Sequence, residues 1–382
     1  MLILQYTLIF TSVLAMVALG GMFAERSGVI NLGLEGIMVI GALAGSIVSS
    51  ALTKAGVPDV ANVIISILSS MFAGWLFSML LGVACITFKA DQTLVGTALN
   101  IMSTALAVVI ARMYTKTPSS EIAYQSSMFK TTTNIQVMDF VIMLGILAVV
   151  IGVIALVSRI LETKYNKKLV NIKERKLFNR LPVNIYTICL AAGAIVLIPL
   201  VILIIIQIVK QPEGKALEIS YFLPMMLLAV IASYVYLFKT VSGMRLMSCG
   251  EHPQAAGSVG INVYFQRYLG VSLSGILAGL GGFAYVIQSA GCWDFKYGVV
   301  GFGFLALAVM IFGQWKPVKI FLAALIFGLC QTASVFYAGK FGIPQFVYKM
   351  LPYVVCMIVL VLTSKKSKAP KAEGIPYDKG QR

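Results

Sequence analysis

The chain has 382 residues, of which 59% are hydrophobic and 12% are charged, and its mean hydropathy is +0.93. Soluble domains carry roughly twice that charged fraction, so the composition excludes an ordinary soluble protein and indicates a polytopic membrane protein. The formal net charge of +16 does not indicate nucleic-acid binding, because the basic residues lie in loops between apolar runs and in the C-terminal tail. Six scattered cysteines without a Cys-x-x-Cys pair, and a single histidine, predict neither a disulfide framework nor a metal site.

The first apolar run covers residues 1–24, which is long enough to cross a bilayer core that needs about 20 residues. No small-residue cleavage site follows, so we expect a retained helix. The run ends in a glycine-rich polar segment, residues 25–37, and a second apolar run continues to residue 52. Glu25, Asn31 and Glu35 would be costly in contact with lipid, so they are predicted to face protein, water or headgroups. One interpretation is purely structural, with close helix contacts at the glycines and Glu25 paired with Arg26.

Two further spans are predicted at about 61–87 and 94–111, with a short charged turn between them. Asp91 in this turn is placed to cap the following helix at its favourable end. Asn100 lies near the start of that helix, where a buried amide needs a partner. Both an interhelical hydrogen bond and a substrate contact satisfy this requirement.

Residues 112–139 are polar and are predicted to lie outside the cell. Spans at about 140–158 and 184–209 flank the most basic loop of the chain, residues 159–180, which is predicted to be cytoplasmic. The loop serves as a topology determinant in one interpretation, and it contacts anionic lipid or a partner protein in another.

A span at about 220–238 leads into a loop at about 239–268, whose middle is polar and small in character. Pro253 suits the first position of a helix, and Gly260 suits the position just past its end, which predicts a helix of about two turns. So short a helix is not stable in water by itself. It therefore needs a surface to lie on, and a cytoplasmic partner is the natural candidate.

The next span, at about 269–289, carries a row of glycines that predicts close helix contacts. Residues 298–317 follow, and their apolar core is flanked by glycine and shorter than an ordinary span. This pattern is typical of a broken or re-entrant helix, which is tolerated only beside protein or a cavity. Two last spans, at about 318–337 and 345–363, precede a lysine-rich tail. Counting crossings back from a cytoplasmic tail places the N-terminus outside, and it places most of the lysines and arginines inside.

Four stretches of the sequence resemble one family of membrane proteins, in the same order along the chain. They are Glu25–Gly36, Ala90–Asn100, Gly250–Ile261 and Gly298–Pro317. The pattern resembles the ABC-type permeases of the branched-chain amino acid, simple sugar and nucleoside group, and within it the nucleoside and simple-sugar branch. The span pair at about 140–209 departs from the family, because nucleoside-type permeases usually pass directly from the fourth span to the span before the coupling loop.

The resemblance implies an all-α polytopic membrane helical bundle of about 10–11 transmembrane segments with the ABC importer permease fold. The permease domain would cover residues 1–364 and a basic cytoplasmic tail residues 365–382. The implied function is that of a permease subunit of a bacterial ABC importer in the cytoplasmic membrane, for a nucleoside or a related small polar solute. Simple sugars and branched-chain amino acids remain alternative solutes.

The resemblance also implies partners: an ABC ATPase subunit, a second permease subunit in a heterodimer, an extracytoplasmic substrate-binding lipoprotein or protein, and membrane lipid. The chain contains no Gly-x-x-x-x-Gly-Lys-Ser/Thr phosphate loop, so we expect ATP on the ATPase subunit and no cofactor on this chain. The protein would then be a non-catalytic subunit.

Three groups of site residues follow from the resemblance. The residues that would couple to the ATPase are Gly250, Glu251, His252, Pro253, Ala255, Ala256 and Gly260. The signature and pathway residues are Glu25, Asn31, Glu35, Asp91 and Asn100. The candidate substrate contacts are Gln288, Trp293, Phe302 and Phe304, whose aromatic rings suit a flat heterocycle or a sugar face but also suit simple packing.

Two other classes of protein fit the sequence less well than an ABC permease. A transporter driven by an ion gradient would place carboxylates at the membrane centre, whereas all fourteen acidic residues are predicted to lie in loops or near span ends. A membrane-embedded enzyme would need a cluster of catalytic side chains, and the single histidine lies in the predicted coupling loop.

Overall fold

The structure is a computed structural model that describes residues 2–116, 121–123, 130–131, 219–294, 301–336 and 369–380, with a few more between 347 and 357. All of these belong to one compact unit of the chain. The predicted span pair and basic loop at 140–209 lie outside the described residues, as does most of the predicted span at 345–363.

Ten α-helices account for most of the described residues. They are α1 (Leu2–Arg26), α2 (Leu34–Lys54), α3 (Asp59–Gly82), α4 (Gln92–Thr115), α5 (Phe222–Lys239), α6 (Val241–Glu251), α7 (Pro253–Ser258), α8 (Val263–Tyr285), α9 (Phe302–Phe312) and α10 (Pro317–Phe336). Turns of π-helix follow α3 at Val83–Thr87 and α8 at Val286–Ala290. Four two-residue strands form two antiparallel pairs, β1 (Ile122–Ala123) with β4 (Cys292–Trp293), and β2 (Lys130–Thr131) with β3 (Ile219–Ser220).

Seven of the described helices are long and apolar enough to cross a membrane, which confirms an all-α polytopic membrane protein. Their ends follow local signals. The carboxylate of Asp91 accepts hydrogen bonds from the backbone N–H groups of Thr93 and Leu94 at 2.8 and 2.9 Å, as the predicted cap of α4 requires. These contacts, that with Leu94 above all, lower the pKa of the Asp91 carboxyl.

The bundle is built on glycine contacts between α2, α3 and α8. A Cβ atom added at Gly41 of α2 would overlap the backbone of Gly279 in α8, and one added at Gly74 of α3 would overlap Gly275 and Gly279. Glycine at such crossings lets two helix backbones touch, which gains close packing that larger residues would prevent. These contacts confirm the small-residue face that the sequence predicts for α8.

Helix α9 begins inside the bundle and ends near the last turn of α1. Its first residue, Phe302, stacks on Phe10 with ring centroids 6.0 Å apart, and Phe10 precedes Arg26 by about 24 Å along α1. At the other end, the guanidinium of Arg26 donates to the backbone carbonyl of Trp315, just after α9. With 11 residues, α9 rises only about 16 Å, so it is the short, broken segment that the sequence predicts.

Candidate functional site

The predicted coupling helix forms as α7. Pro253 occupies its first turn, and Gly260 follows its end with φ of +85°, a left-handed conformation that favours glycine. A second helix, α6, precedes it and was not predicted. Thr240 caps α6 by accepting a hydrogen bond from the Gly243 N–H at 3.1 Å. The Thr-x-x-Gly pattern could have indicated this start, because threonine is a favoured cap.

Only part of the predicted coupling set faces outward from α6 and α7. His252, Ala255 and Gly260 are exposed, and Glu251 and Pro253 are half-buried. Ala256 is 4% exposed, and Gly250 packs its backbone against the backbone of Arg26. These last two residues therefore hold α6 and α7 against the bundle, while the others remain available to a partner.

Glu25 and Arg26, suggested by the sequence as a pair, instead take separate partners. The indole N–H of Trp315 donates to a carboxylate oxygen of Glu25 at 2.5 Å, and the guanidinium of Arg26 lies 3.9 Å from a carboxylate oxygen of Glu251. Successive helix residues do not face each other, which explains why the suggested pair does not form. The end of α1 is thereby tied both to the end of α9 and to the coupling region.

Amide side chains hold the non-helical segment between α1 and α2. The Asn100 amide donates to the Leu32 carbonyl and accepts from the Gly36 N–H, both at 2.8 Å. The Asn31 amide donates to the Ser274 hydroxyl at 2.8 Å. Backbone groups inside a membrane bundle need such partners. Asn100 therefore forms the interhelical contact that was one of its two predicted roles.

Glu35 lies near the end of a span in the sequence, but the structure places it inside the bundle against the start of α9. One carboxylate oxygen accepts from the Gly301 N–H at 2.9 Å, and the backbone of Gly303 packs against the backbone and Cβ atom of Glu35. The other carboxylate oxygen is buried and has no hydrogen-bond partner among the described residues. An acidic residue at the N-terminus of a broken helix suits the helix dipole.

The candidate substrate contacts lie around the π-helical turn after α8. Phe302 is buried and packs on Tyr285 with ring centroids 4.3 Å apart, one turn before Gln288. Gln288 is 7% exposed and Trp293 is 2% exposed. Neither amide atom of Gln288, nor the indole N–H of Trp293, has a hydrogen-bond partner in the part of the chain that the structure describes. Phe304 is 49% exposed and lies on another face of α9.

Unpaired buried polar groups are rare, and π-helical turns occur frequently at functional sites. Gln288 combines both features, and Tyr285 is a neighbour that the sequence analysis missed. Its signal was weak, because an aromatic residue in an apolar run is usually a packing residue.

The described part of the tail, residues 369–380, packs on the coupling region, although the sequence suggested only a basic tail. The Ala372 N–H donates to the Gly250 carbonyl at 2.9 Å, and Tyr377 joins a buried cluster with Cys249 and Ala256. An aromatic residue among prolines and glycines after the lysines was the available signal. Within the described residues, no group of three or more His, Cys, Asp or Glu side chains is placed to hold a metal ion.

Comparison with known proteins agrees with this architecture. Residues 3–362 match the family described as the branched-chain amino acid transport system permease component. The chain is 32% identical to the guanosine ABC transporter permease protein NupQ of Bacillus subtilis, over all of this chain and 98% of NupQ. It is 34% identical to the nucleoside ABC transporter permease protein NupC of Lactococcus lactis, over all of this chain and 96% of NupC.

The chain therefore belongs to this family and is an ABC transporter permease, a multi-pass membrane protein. A second Lactococcus lactis protein, the nucleoside ABC transporter permease protein NupB, is 26% identical over 44% of this chain and 47% of NupB. No solved structure matches the chain.

Proposed function

We propose that this chain is a permease subunit of a bacterial ABC importer and that it forms the translocation pathway for a nucleoside. Full-length similarity to NupQ and NupC, whose names specify guanosine and nucleosides, carries this proposal. The chain is non-catalytic, and ATP is bound and hydrolysed by a separate ATPase subunit. It lies in the cytoplasmic membrane with its N-terminus outside and its C-terminus in the cytoplasm.

A second permease chain and an extracytoplasmic binding protein complete the assembly. The similarity of this chain to both NupB and NupC, two permeases of one organism, supports a pathway formed by two different chains. Lipid surrounds the apolar faces of the spans.

Helix α7 is the docking point for the ATPase. Its exposed residue Ala255 and the exposed residue His252, which directly precedes the helix, form the contact, with Glu251 at the end of α6 beside them. A carboxylate oxygen of Glu251, the last residue of α6, lies 3.9 Å from the guanidinium of Arg26, so a movement of α7 that shifts the end of α6 changes the environment at the end of α1. Such a contact couples ATP hydrolysis to the pathway only if it differs between the inward-open and outward-open states.

The solute contacts Gln288, Trp293 and Phe302. A nucleobase offers donors and acceptors along its edge and an aromatic face, which matches the unpaired amide and indole groups beside the Phe302–Tyr285 pair. A simple sugar is the alternative solute. The putative glucose ABC transporter permease protein TsgC13 of Haloferax volcanii is 24% identical over 87% of this chain, and hydroxyl groups also satisfy such polar side chains.

The experiment is co-purification of the intact protein in mild detergent with the products of its neighbouring genes, followed by an ATPase assay with the matching binding protein. We expect an ATPase and a second permease to co-purify, and we expect nucleosides to raise ATP turnover while sugars do not. Purification without any ATPase would contradict the proposed class of protein. Stimulation by sugars alone would contradict the proposed solute.

The Gln288→Met variant tests the solute contact, because methionine removes the amide but keeps most of the buried volume. Since the amide has no described partner within the protein, this change should leave the thermal unfolding midpoint close to that of the parent. A lost hydrogen bond of about 0.5–1.5 kcal/mol would raise the KM for uptake roughly twofold to tenfold. An unchanged KM would exclude Gln288 from the solute site.

A further inference from the structure

The C-terminal segment described by the structure, residues 369–380, is called the C-terminal clasp below. It lies against α6 and α7 through backbone and side-chain contacts. Besides the bond from Ala372 to Gly250, the Gln254 amide donates to the Asp378 carbonyl at 2.9 Å. The clasp therefore contacts α6 at its last turn and α7 at its first.

Tyr377 is the main side chain of the clasp in this contact. It is 7% exposed and packs with Cys249 and Ala256 in a small apolar cluster. The ring of Tyr264 meets it edge-on with centroids 5.4 Å apart, a favourable geometry for two aromatic rings. A Cβ atom at Gly257 of α7 would collide with the Tyr377 hydroxyl, so α7 and the clasp fit closely.

The clasp also reaches two loops outside the coupling region. The Gly374 N–H donates to the Gly28 carbonyl at 3.3 Å, after the end of α1. The Asp378 carboxylate forms an ion pair with Lys89 at 3.0 Å, in the turn before α4. One short segment thus joins the coupling helix to the loops at the ends of α1 and α3.

A six-residue helix such as α7 cannot hold its conformation in isolation. Its inward face is covered by Tyr377, and its outward face remains exposed. We infer that the C-terminal clasp positions α7 for contact with the ATPase and transmits the movement of α7 to the α1–α2 and α3–α4 loops. The part of this role that involves the ATPase rests on the proposed function. The packing of the clasp on α6 and α7, called its seating below, does not.

Cys249 gives a direct measure of that seating. Its thiol is buried beneath Tyr377, and burial raises the pKa of the thiol to about 11, so it should react slowly with thiol reagents at neutral pH. In a full-length variant that keeps Cys249 as its only cysteine, the labelling rate by a maleimide reports how often the clasp opens. This assay uses the purified permease and requires no ATPase.

The test compares three changes in this background. Tyr377→Ala should raise the labelling rate of Cys249 at least tenfold, whereas Tyr377→Phe, which keeps the ring, should restore slow labelling. Lys379→Ala, an exposed change within the clasp, is the matched control and should leave the rate unchanged. Equal labelling rates for Tyr377→Ala and the parent would overturn the inference that the clasp covers α6 and α7.

The coupling role is measured in the assembled transporter. We expect Tyr377→Ala to co-purify with the ATPase but to lose at least ten-fold in solute uptake per ATP hydrolysed, with Tyr377→Phe and Lys379→Ala close to the parent. Fast labelling together with normal coupling would overturn the positioning role. If the parent protein itself binds no ATPase while the labelling results hold, the proposed function is wrong, but the conclusion that the clasp covers α6 and α7 still stands.

Discussion

Loss of the Asn100 side chain should destabilise the protein, because this side chain holds the non-helical segment between α1 and α2. The Asn100→Ala change leaves two partly buried backbone groups, the Leu32 carbonyl and the Gly36 N–H, without their 2.8 Å partner. Each unpaired group costs about 1–3 kcal/mol, so the change should lower the free energy of unfolding by about 2–6 kcal/mol. Few single substitutions have a larger effect without creating a large cavity.

The assay is thermal unfolding of the purified protein in detergent, with solute uptake measured in parallel. Asn100→Asp keeps the acceptor for Gly36 but loses the donor to Leu32, so its midpoint should lie between those of the parent and Asn100→Ala. Thr97→Ala, an exposed change on the same helix, is the control, because within the described residues the Thr97 hydroxyl donates only to backbone carbonyls of its own helix. If Asn100→Ala unfolds at the temperature of Thr97→Ala but shows a raised KM, Asn100 is a substrate contact and the structural argument is wrong.

Three further predictions test other contacts. Asp91→Ala should unfold at a lower temperature than Asp91→Asn, because only asparagine keeps an oxygen that caps α4; equal midpoints would refute the cap. Gly41→Ala should destabilise the bundle by about 1–3 kcal/mol, since its new methyl group meets the Gly279 backbone, and an unchanged unfolding midpoint would contradict that close contact. Burial raises the pKa of the Glu373 carboxyl beside Glu25. The packing of the clasp on α6 and α7 should therefore be most favourable below the ordinary glutamate pKa of about 4.3, and it should weaken as pH rises through the raised pKa of Glu373. The Cys249 labelling rate of the parent relative to Glu373→Gln should therefore rise between pH 5 and pH 8, and a constant ratio would show that this carboxyl does not control the clasp.

The Glu373 prediction follows from the burial of that carboxyl. A buried carboxyl is more stable when it holds a proton, whereas glutamine is neutral at every pH. The ion pair between Lys89 and Asp378 has the opposite pH dependence, because it lowers the pKa of Asp378. It is lost only when the pH falls through that lowered value. Because the Glu373 carboxyl contacts that of Glu25, a change over neutral pH should therefore come from this pair of carboxyls.

Local sequence patterns predicted the features that depend on a few neighbouring residues. The apolar runs predicted the described spans, because a helix must present about 20 apolar residues to cross a bilayer. Asp91 predicted the start of α4, and Pro253 with Gly260 predicted α7, because capping and backbone preferences act within one or two turns. The family resemblance was also carried by short ungapped stretches, and the whole-chain match confirms it.

Only the tertiary structure decided which polar groups meet. Glu25 binds the indole of Trp315, which is 290 residues away in the sequence, and Asn100 holds a loop more than 60 residues before it. No periodic pattern encodes such distant pairs, because each partner is consistent with many others until the helices pack. The C-terminal clasp was missed for the same reason. Its lysines indicated a solvated tail, while the apolar cluster around Tyr377 exists only once the clasp, α6, α7 and the start of α8 lie together. The sequence alone thus determined the membrane class and the positions of the described membrane-spanning helices, and packing determined which residues link α7 to the bundle.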